Sequence, residues 1–573
     1  MSKLFSYLRA YRKECILGPL LKLMEAALEL FVPLIVAAVI DRGIGGQDQR
    51  FIVRMSLLLV GLGLAGLVFS VTAQYFSARA AVGFVTKLRH ALYTHVQRFP
   101  YSTLDRIGVS TLITRMSSDM NQVQTGLNLT LRLLLRSPFV VFGAMIMAFT
   151  IDTAAALWFV AAIPVLALVV FGIMLLTMPM YRRVQEHLDK VLGTTRENLN
   201  GVRVLRAFRK EEDECQRFET QNTALTALQQ HVGRVSALMN PVTYVIVNLS
   251  VILLIRTGAI RVQEGILTQG AVVALYNYFS QILVELIKLA NLIINITKSL
   301  ACAKRIQGVM DVSDEETAQP DLPGGDAAVR VEFDHAGLCY DGASGNALTE
   351  VTLRAMPGQV IGVIGGTGSG KTSLIHLIPR FYEATTGRVL FNGSDVRAVD
   401  PAALRAKIGI VPQKATLFRG TIRENLRWGN PSASDEALLA AAEAAQAADV
   451  VAAKGGLDGM IEQAGRNLSG GQRQRLTIAR ALVRRPEVLI LDDSSSALDY
   501  VTDAALRNAL RSLPYRPTVF LVSQRTAAVQ NADQILVLDN GRTVGLGTHG
   551  ELMASCSVYR EIHESQFQKE ASK

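Results

Sequence analysis

The pattern of apolar and polar positions changes near residue 300. Before it, stretches long enough to cross a hydrocarbon core, which takes about 20 helical residues, recur six times: 15–40, 51–77, 127–150, 153–178, 241–260 and 271–297. The first stretch is interrupted by Lys22, Glu25 and Glu29. Their spacing of three and four puts all three on one helical face, as suits a helix packed in a bundle or bordering an aqueous cavity. Beyond residue 328 the period shortens. Runs of β type at 329–333, 359–364, 388–391, 488–491, 518–522 and 535–538 alternate with helical stretches, which predicts an α/β domain. Between the two halves the acidic, Pro- and Gly-rich stretch 313–326 reads as a linker.

Two long polar connections join the second apolar stretch to the third and the fourth to the fifth. Around 108–124 and 192–208 apolar residues recur at helical spacing, with Gly108 and Gly201 as breaks. The membrane helices are therefore expected to continue past the bilayer and to carry short helical tips. Basic residues concentrate in these connections: Arg79, Lys87, Arg89, Arg98, Arg106 and Arg115 in one, and Arg182, Arg183, Lys190, Arg196, Arg203, Arg206, Arg209 and Lys210 in the other. Lys3, Arg9, Arg12 and Lys13 precede the first stretch, whereas the remaining turns are short and carry few basic residues. This asymmetry predicts a multi-pass protein of the cell membrane with both termini and the long loops cytoplasmic.

Composition agrees. Of 573 residues, 50% are hydrophobic and 19% charged, against about 25% charged in soluble domains, which excludes an ordinary soluble enzyme and a disordered chain. The net charge of +10 belongs to the loops and marks orientation. No nucleic-acid-binding module accompanies it, so no nucleic-acid partner is expected. The five cysteines are widely spaced without a C-x-x-C pair, which argues against a disulfide framework or a structural zinc site.

The chemistry lies in the second half. Gly365, Gly366, Thr367, Gly368, Ser369, Gly370, Lys371 and Thr372 spell G-x-x-x-x-G-K-T after an apolar β run and before a helical one. Glycines there let backbone amides curl around phosphate oxygens at the positive end of the following helix. Lys371 is expected on the β and γ phosphates and the Thr372 hydroxyl on Mg2+. Asp492, ending the apolar run 488–491, adds a carboxylate at the same sheet edge.

Between these two features stand Leu468, Ser469, Gly470, Gly471 and Gln472, then RQRLTIARALVRRPEVLILDD. This run resembles the signature of ATP-binding cassette proteins. With six spans ahead of it, nearly the whole chain resembles a half-transporter of the bacterial multidrug and lipid exporter type. The resemblance implies an all-α six-helix membrane domain (1–305), a linker (306–328) and a P-loop ATPase cassette (329–573) with a β lobe and a helical subdomain containing 435–449. It implies ATP and Mg2+ as cofactors. As partners it implies the lipid bilayer, a second half-transporter and a small hydrophobic or amphipathic substrate (a drug, lipid or peptide), exported by alternating access. It assigns Tyr340 to stacking on adenine, Thr372, Gln413 and Asp492 to the magnesium site, residues 468–472 to ATP held on the opposite subunit, and Asp499 to the dimer seam.

Two positions depart from the family pattern. Asp493 stands where the family has a glutamate that positions or deprotonates the attacking water. A base must come within about 2.6–3.2 Å of that water, and a carboxylate one methylene shorter loses reach. Gln524 stands where the family has a histidine. It can hydrogen-bond a phosphate but cannot carry a proton or a positive charge. His549 lies in the family's distal tail motif, well past this position. Together, in a chain with an intact signature, these changes resemble the degenerate subunit of a heterodimeric exporter. A homodimeric exporter with an atypical but active site, or an ATP-binding regulatory or channel-type subunit, are the alternatives. In the spans, Asn277, Gln281, Glu285, Lys288, Asn291 and Asn295 line up on one face of the sixth, and Arg132 and Arg136 on the third. They are candidate cavity residues, or equally partners in interhelical hydrogen bonds and in ion pairs such as Glu285 with Lys288.

Overall fold

The computed structural model describes residues 4, 6–313, 328–494 and 496–571. The chain forms two compact units, Met1–Gln97 with Ser110–Val312, and Arg98–Val109 with Ser313–Lys573. The first contains six long apolar helices, Tyr7–Ile44, Gln49–Val96, Val109–Ile151, Thr153–Asn200, Glu211–Gln263 and Gln269–Met310. A helix of 48 residues measures about 72 Å at 1.5 Å per residue, more than twice a hydrocarbon core of about 30 Å. The helices therefore extend well beyond the bilayer. The second, fourth and sixth start from side chains that cap their first turn: Asp48 accepts from Phe51 N (3.0 Å), Asp152 from Ala155 N (2.7 Å) and Thr268 from Ala271 N (3.2 Å). These caps satisfy amides left over at a helix start, so each helix can follow its predecessor after a short turn.

Small residues let these helices approach closely. Ala144, Ala148, Ala155 and Ala156 are fully buried beside Phe159, Phe279 and Tyr278, and the Tyr278 hydroxyl donates to Leu30 O at 2.6 Å. The charged face of the first helix is satisfied by its neighbours. Lys22 bonds Glu25 (2.5 Å) and Ser70 (3.0 Å), and Glu29 accepts from Arg136 (2.6 Å). Arg136 also donates to Glu285 (2.5 Å), which takes further bonds from Ser137 and Lys288, both at 2.8 Å. Three of the candidate cavity residues are thus members of an ion-pair network, while Gln281 Oε1 and Arg132 Nε are buried without a hydrogen-bond partner among the described residues.

The helical tip expected at 108–124 lies elsewhere. The short separate helix is Tyr101–Ile107, ended by Gly108 at φ +80°, and from Val109 onward the chain already belongs to the third long helix. Gly108 is a break, as its residue type implies, but the short helix precedes it instead of following it. The second tip, Val202–Ala207 after Gly201, falls inside 192–208. Of the expected linker 306–328, the first positions are helical up to Met310, and 314–327 lie outside the described residues.

In the second unit a six-stranded sheet runs in the order Arg542–Gly547, Gln534–Asp539, Val360–Ile364, Thr518–Val522, Val488–Asp492, Ile408–Val411. All its pairs are parallel except the first, an antiparallel edge. A second, antiparallel sheet of Leu348–Ala355, Val331–Leu338, Thr386–Phe391 and Ser394–Asp395 forms the β lobe. Helices Ile422–Arg427, Asp435–Ala444, Ala448–Ala453 and Gly470–Val483 form the helical subdomain, with Leu438, Ala442, Leu476 and Ile478 in its core. Among the strands additional to the β runs of the sequence are Leu348–Ala355 and Arg542–Gly547. The first alternates buried with exposed positions, and the second is a half-exposed edge carrying two glycines, so neither presents a continuous apolar run.

Candidate nucleotide site

Three neighbouring parallel strands converge on one edge, with Val522 in register with both Val363 and Asp492. The phosphate loop leaves the first of these strands and enters the helix Lys371–Leu377. Two glycines are sterically required. A Cβ at Gly365 would lie 2.2 Å from Leu538 O, and one at Gly370, at φ +96°, 2.7 Å from Ala347 O. Gly366 and Gly368 instead face open space, which leaves the rim of the loop clear for a ligand to approach the backbone. Lys371 is buried and donates to Gly365 O (2.9 Å), Gly366 O (2.6 Å) and Ser369 Oγ (3.4 Å). Burial pulls its ammonium below the ordinary lysine range, while Asp493 and Asp492 act in the opposite direction. The loop thus holds a cation at its centre before any phosphate arrives.

Asp492 is 4% exposed, and its two carboxylate oxygens lie 3.3 and 3.2 Å from the Thr372 hydroxyl. Burial raises its carboxyl above the usual range, and neighbouring Asp493 adds to this against the opposing Thr372 bond and Lys371. A hydroxyl beside a carboxylate is the hard oxygen pair that Mg2+ takes, so the residues present fit the ion, whose charge would offset the cost of the buried carboxylate. An acid with a raised folded pKa destabilises the fold once pH exceeds its unfolded value. Asp492→Asn is therefore expected to raise the melting temperature of the nucleotide-free chain at neutral pH, while weakening magnesium-dependent ATP binding roughly tenfold or more. Differential scanning fluorimetry and ATP titration with and without Mg2+ check both halves.

Tyr340 packs edge-on against Tyr382, ring centroids 5.0 Å apart, and its hydroxyl bonds Ser373 at 2.8 Å on the phosphate helix. Gln413 Nε2 donates to Asp493 at 3.4 Å. It therefore lies beside the second aspartate of the pair. Asp493 has a left-handed backbone, φ +44°, and its N–H donates to Val522 O, which ties it to the strand leading to exposed Gln524. The signature forms the start of helix Gly470–Val483: Ser469 and Gln472 make a reciprocal capping box, and Leu468 is buried. Asp499 caps Tyr500–Arg511 through Thr502, and these bonds hold its carboxyl below the ordinary range. Among the described residues no hydrogen bond or ion pair joins the signature or Asp499 to the phosphate loop. Sequence reasoning missed Tyr382 and Ser373, which flank Tyr340. Their contacts are long-range, and no local spacing announces them.

The comparisons fit this geometry. The ABC transporter transmembrane region family matches residues 15–286 and the ABC transporter family residues 348–496. An uncharacterized ABC transporter ATP-binding protein of Mycobacterium tuberculosis is 35% identical over 99% of this chain and 98% of its own length. The chain belongs to the ABC transporter family. YfiB of Bacillus subtilis, also an uncharacterized ABC transporter ATP-binding protein, is 34% identical over the full length of both chains. An ATP-dependent lipid A-core flippase of Methylococcus capsulatus is 29% identical over 95% of this chain and 90% of its own. In fold this ABC transporter is similar to a bacterial Atm1-family ABC exporter solved with ATP bound, with TM-score 0.79, 23% identity, and 96% and 97% of the two chains covered. It is an exporter-type half-transporter, a multi-pass membrane domain joined to a C-terminal ABC ATPase. Such an ATPase binds ATP, and ABC exporters work as dimers in the membrane.

Proposed function

We propose that this chain is one half of a heterodimeric ATP-driven exporter of hydrophobic or amphipathic compounds, and that its own ATP site is the weak one of the two. The observation that carries the reading is the pair Asp493 and Gln524. Asp493 follows Asp492 and Gln524 comes two residues after Val522, which is in register with Asp492, and these are the positions at which the family resemblance implies a glutamate and a histidine. Asp493, half-buried and backed by Gln413, lacks the reach of a glutamate to a water in line with the γ phosphate. In this reading Lys371 exchanges its loop carbonyls for phosphate oxygens, Thr372 and Asp492 hold Mg2+, and Tyr340 turns its ring to adenine. When bound, Mg2+ neutralises charge on the phosphates. Ser469 and Gly471, with their capped helix start, complete the active site of a different partner chain. The cassette and both termini face the cytoplasm.

The segment Arg98–Val109 offers the route to the membrane helices. Within the cassette unit Tyr101 stacks on Phe381, centroids 4.2 Å apart, and Asp105 accepts a hydrogen bond from the Tyr382 hydroxyl. Closure of two cassettes on ATP moves this segment, and the chain continues directly from it into the second and third long helices.

The test is an ATPase assay of the chain purified with its partner. Asp493→Asn is expected to change the rate by less than about twofold, while Ser469→Ala lowers it by roughly a hundredfold through loss of a phosphate donor in the partner's site. A chain that alone forms a homodimer with brisk hydrolysis abolished by Asp493→Asn would sink the proposal.

A further inference from the structure

Gln524 sits on a loop whose outer side is gripped by the far end of the chain. Two residues on, Thr526 begins the short helix Thr526–Val529, and the preceding Arg525 supplies no side-chain cap. The missing cap comes from the terminal helix Ser557–Ala571. Gln566 Oε1 accepts from both Thr526 N (2.9 Å) and Thr526 Oγ1 (3.1 Å), while Gln566 Nε2 donates to Gln524 O at 2.7 Å. One amide therefore closes the loop from both ends. Its orientation follows from its partners, since a backbone N–H can only donate and a carbonyl only accept. Thr526 is fully buried, so its N–H has no water to replace the amide. His563, one turn earlier on the same helix, lies 3.2 Å from Thr526 Oγ1. Buried Tyr559, one turn before that, bonds His549 at 2.8 Å, which fixes the helix against the domain.

We propose that Gln566 is a positioning residue for Gln524, so that the terminal helix sets how well this chain's ATP site distinguishes ATP from ADP. The inference rests on the proposed function, with Gln524 at the family's histidine position donating its side-chain amide to the γ phosphate. Gln566 itself touches no nucleotide. It fixes the backbone from which Gln524 extends, and only a ligand with a third phosphate feels the difference. Phosphate-loop contacts, shared by ATP and ADP, are left alone.

The experiment measures dissociation constants of ATP and ADP, with Mg2+, for the purified full-length chain and for Gln524→Ala, Gln566→Leu and the double variant. Each single change is expected to weaken ATP binding roughly threefold to tenfold, the worth of one or two hydrogen bonds, and to leave ADP binding unchanged. The double variant should be no worse than either single one, because both act through one contact. If Gln566→Leu also loses ADP binding, Gln566→Glu decides on the same readouts. It keeps both bonds from Thr526 and sets a carboxylate oxygen against the Gln524 carbonyl, so ATP alone should weaken. A loss shared by both nucleotides in Gln566→Glu, or additive losses in the double variant, overturns the positioning role. Gln524→Ala with an unchanged preference for ATP overturns the reading of Gln524 as well, and separates the two failures.

Discussion

Asp493→Glu combined with Gln524→His is expected to raise ATP hydrolysis by the isolated chain on the order of a hundredfold, the lower end of what a positioned base contributes. The chain carries an intact signature, Ser469 to Gln472, in a capped helix start. Two copies of the substituted chain thus supply every group the reaction needs, and no partner is required for the test. The added methylene returns the carboxylate toward the in-line water, while the left-handed backbone of residue 493 and its tie to Val522 O keep the origin of the side chain fixed. Asp493→Glu alone should give most of the gain. Gln524→His alone should give little, since a protonatable group at the γ phosphate cannot activate water without a base. Steady-state phosphate release by the four proteins settles the order of effects. A double variant no faster than the wild type would show that some other feature of the site limits hydrolysis, and the degenerate-site reading would lose its chemical basis.

The features legible in the sequence were those encoded locally. Six membrane helices follow from apolar runs that must satisfy their own backbone, and the phosphate loop follows from glycines at fixed spacing between a strand and a helix. Helix interiors were clear, but the tip Tyr101–Ile107 was misplaced beyond Gly108 because a glycine marks a break without showing on which side of it the short helix lies. Strand Leu348–Ala355 was missed because half of its side chains face out. The partners of Tyr340, Gln524 and Arg136 were out of reach for a common reason. Tyr382 lies 42 residues from Tyr340, and Gln566 the same distance from Gln524, so each pairing depends on the tertiary fold. The charges on the first, third and sixth helices were visible as faces, and whether they line a cavity or pair with one another was decided only by packing.

That pairing carries the second large expectation. Glu285→Ala should destabilise the membrane domain by about 3–5 kcal/mol, the cost of leaving a buried charge without its partner. Glu285 is 3% exposed and Arg136 7%, and their contact at 2.5 Å joins the sixth helix to the third, with Glu29 extending the network to the first. Removing the carboxylate leaves the Arg136 guanidinium with Glu29 alone, whose side chain is 41% exposed, and strips Lys288 and Ser137 of their acceptor. Arg136→Met with Glu285→Leu removes both buried charges together. The Glu29 and Lys288 side chains that remain are two-fifths exposed, not buried. The double variant should therefore be more stable than Glu285→Ala, and, measured against Arg136→Met and Glu285→Leu singly, should show a coupling energy of about 1–3 kcal/mol between the two positions. Unfolding midpoints of the purified chain in detergent, followed by helical circular dichroism, give this comparison directly. If the two substitutions simply add, the pair is not the unit that joins these helices, and Arg136 and Glu285 return to being independent polar positions open to substrate.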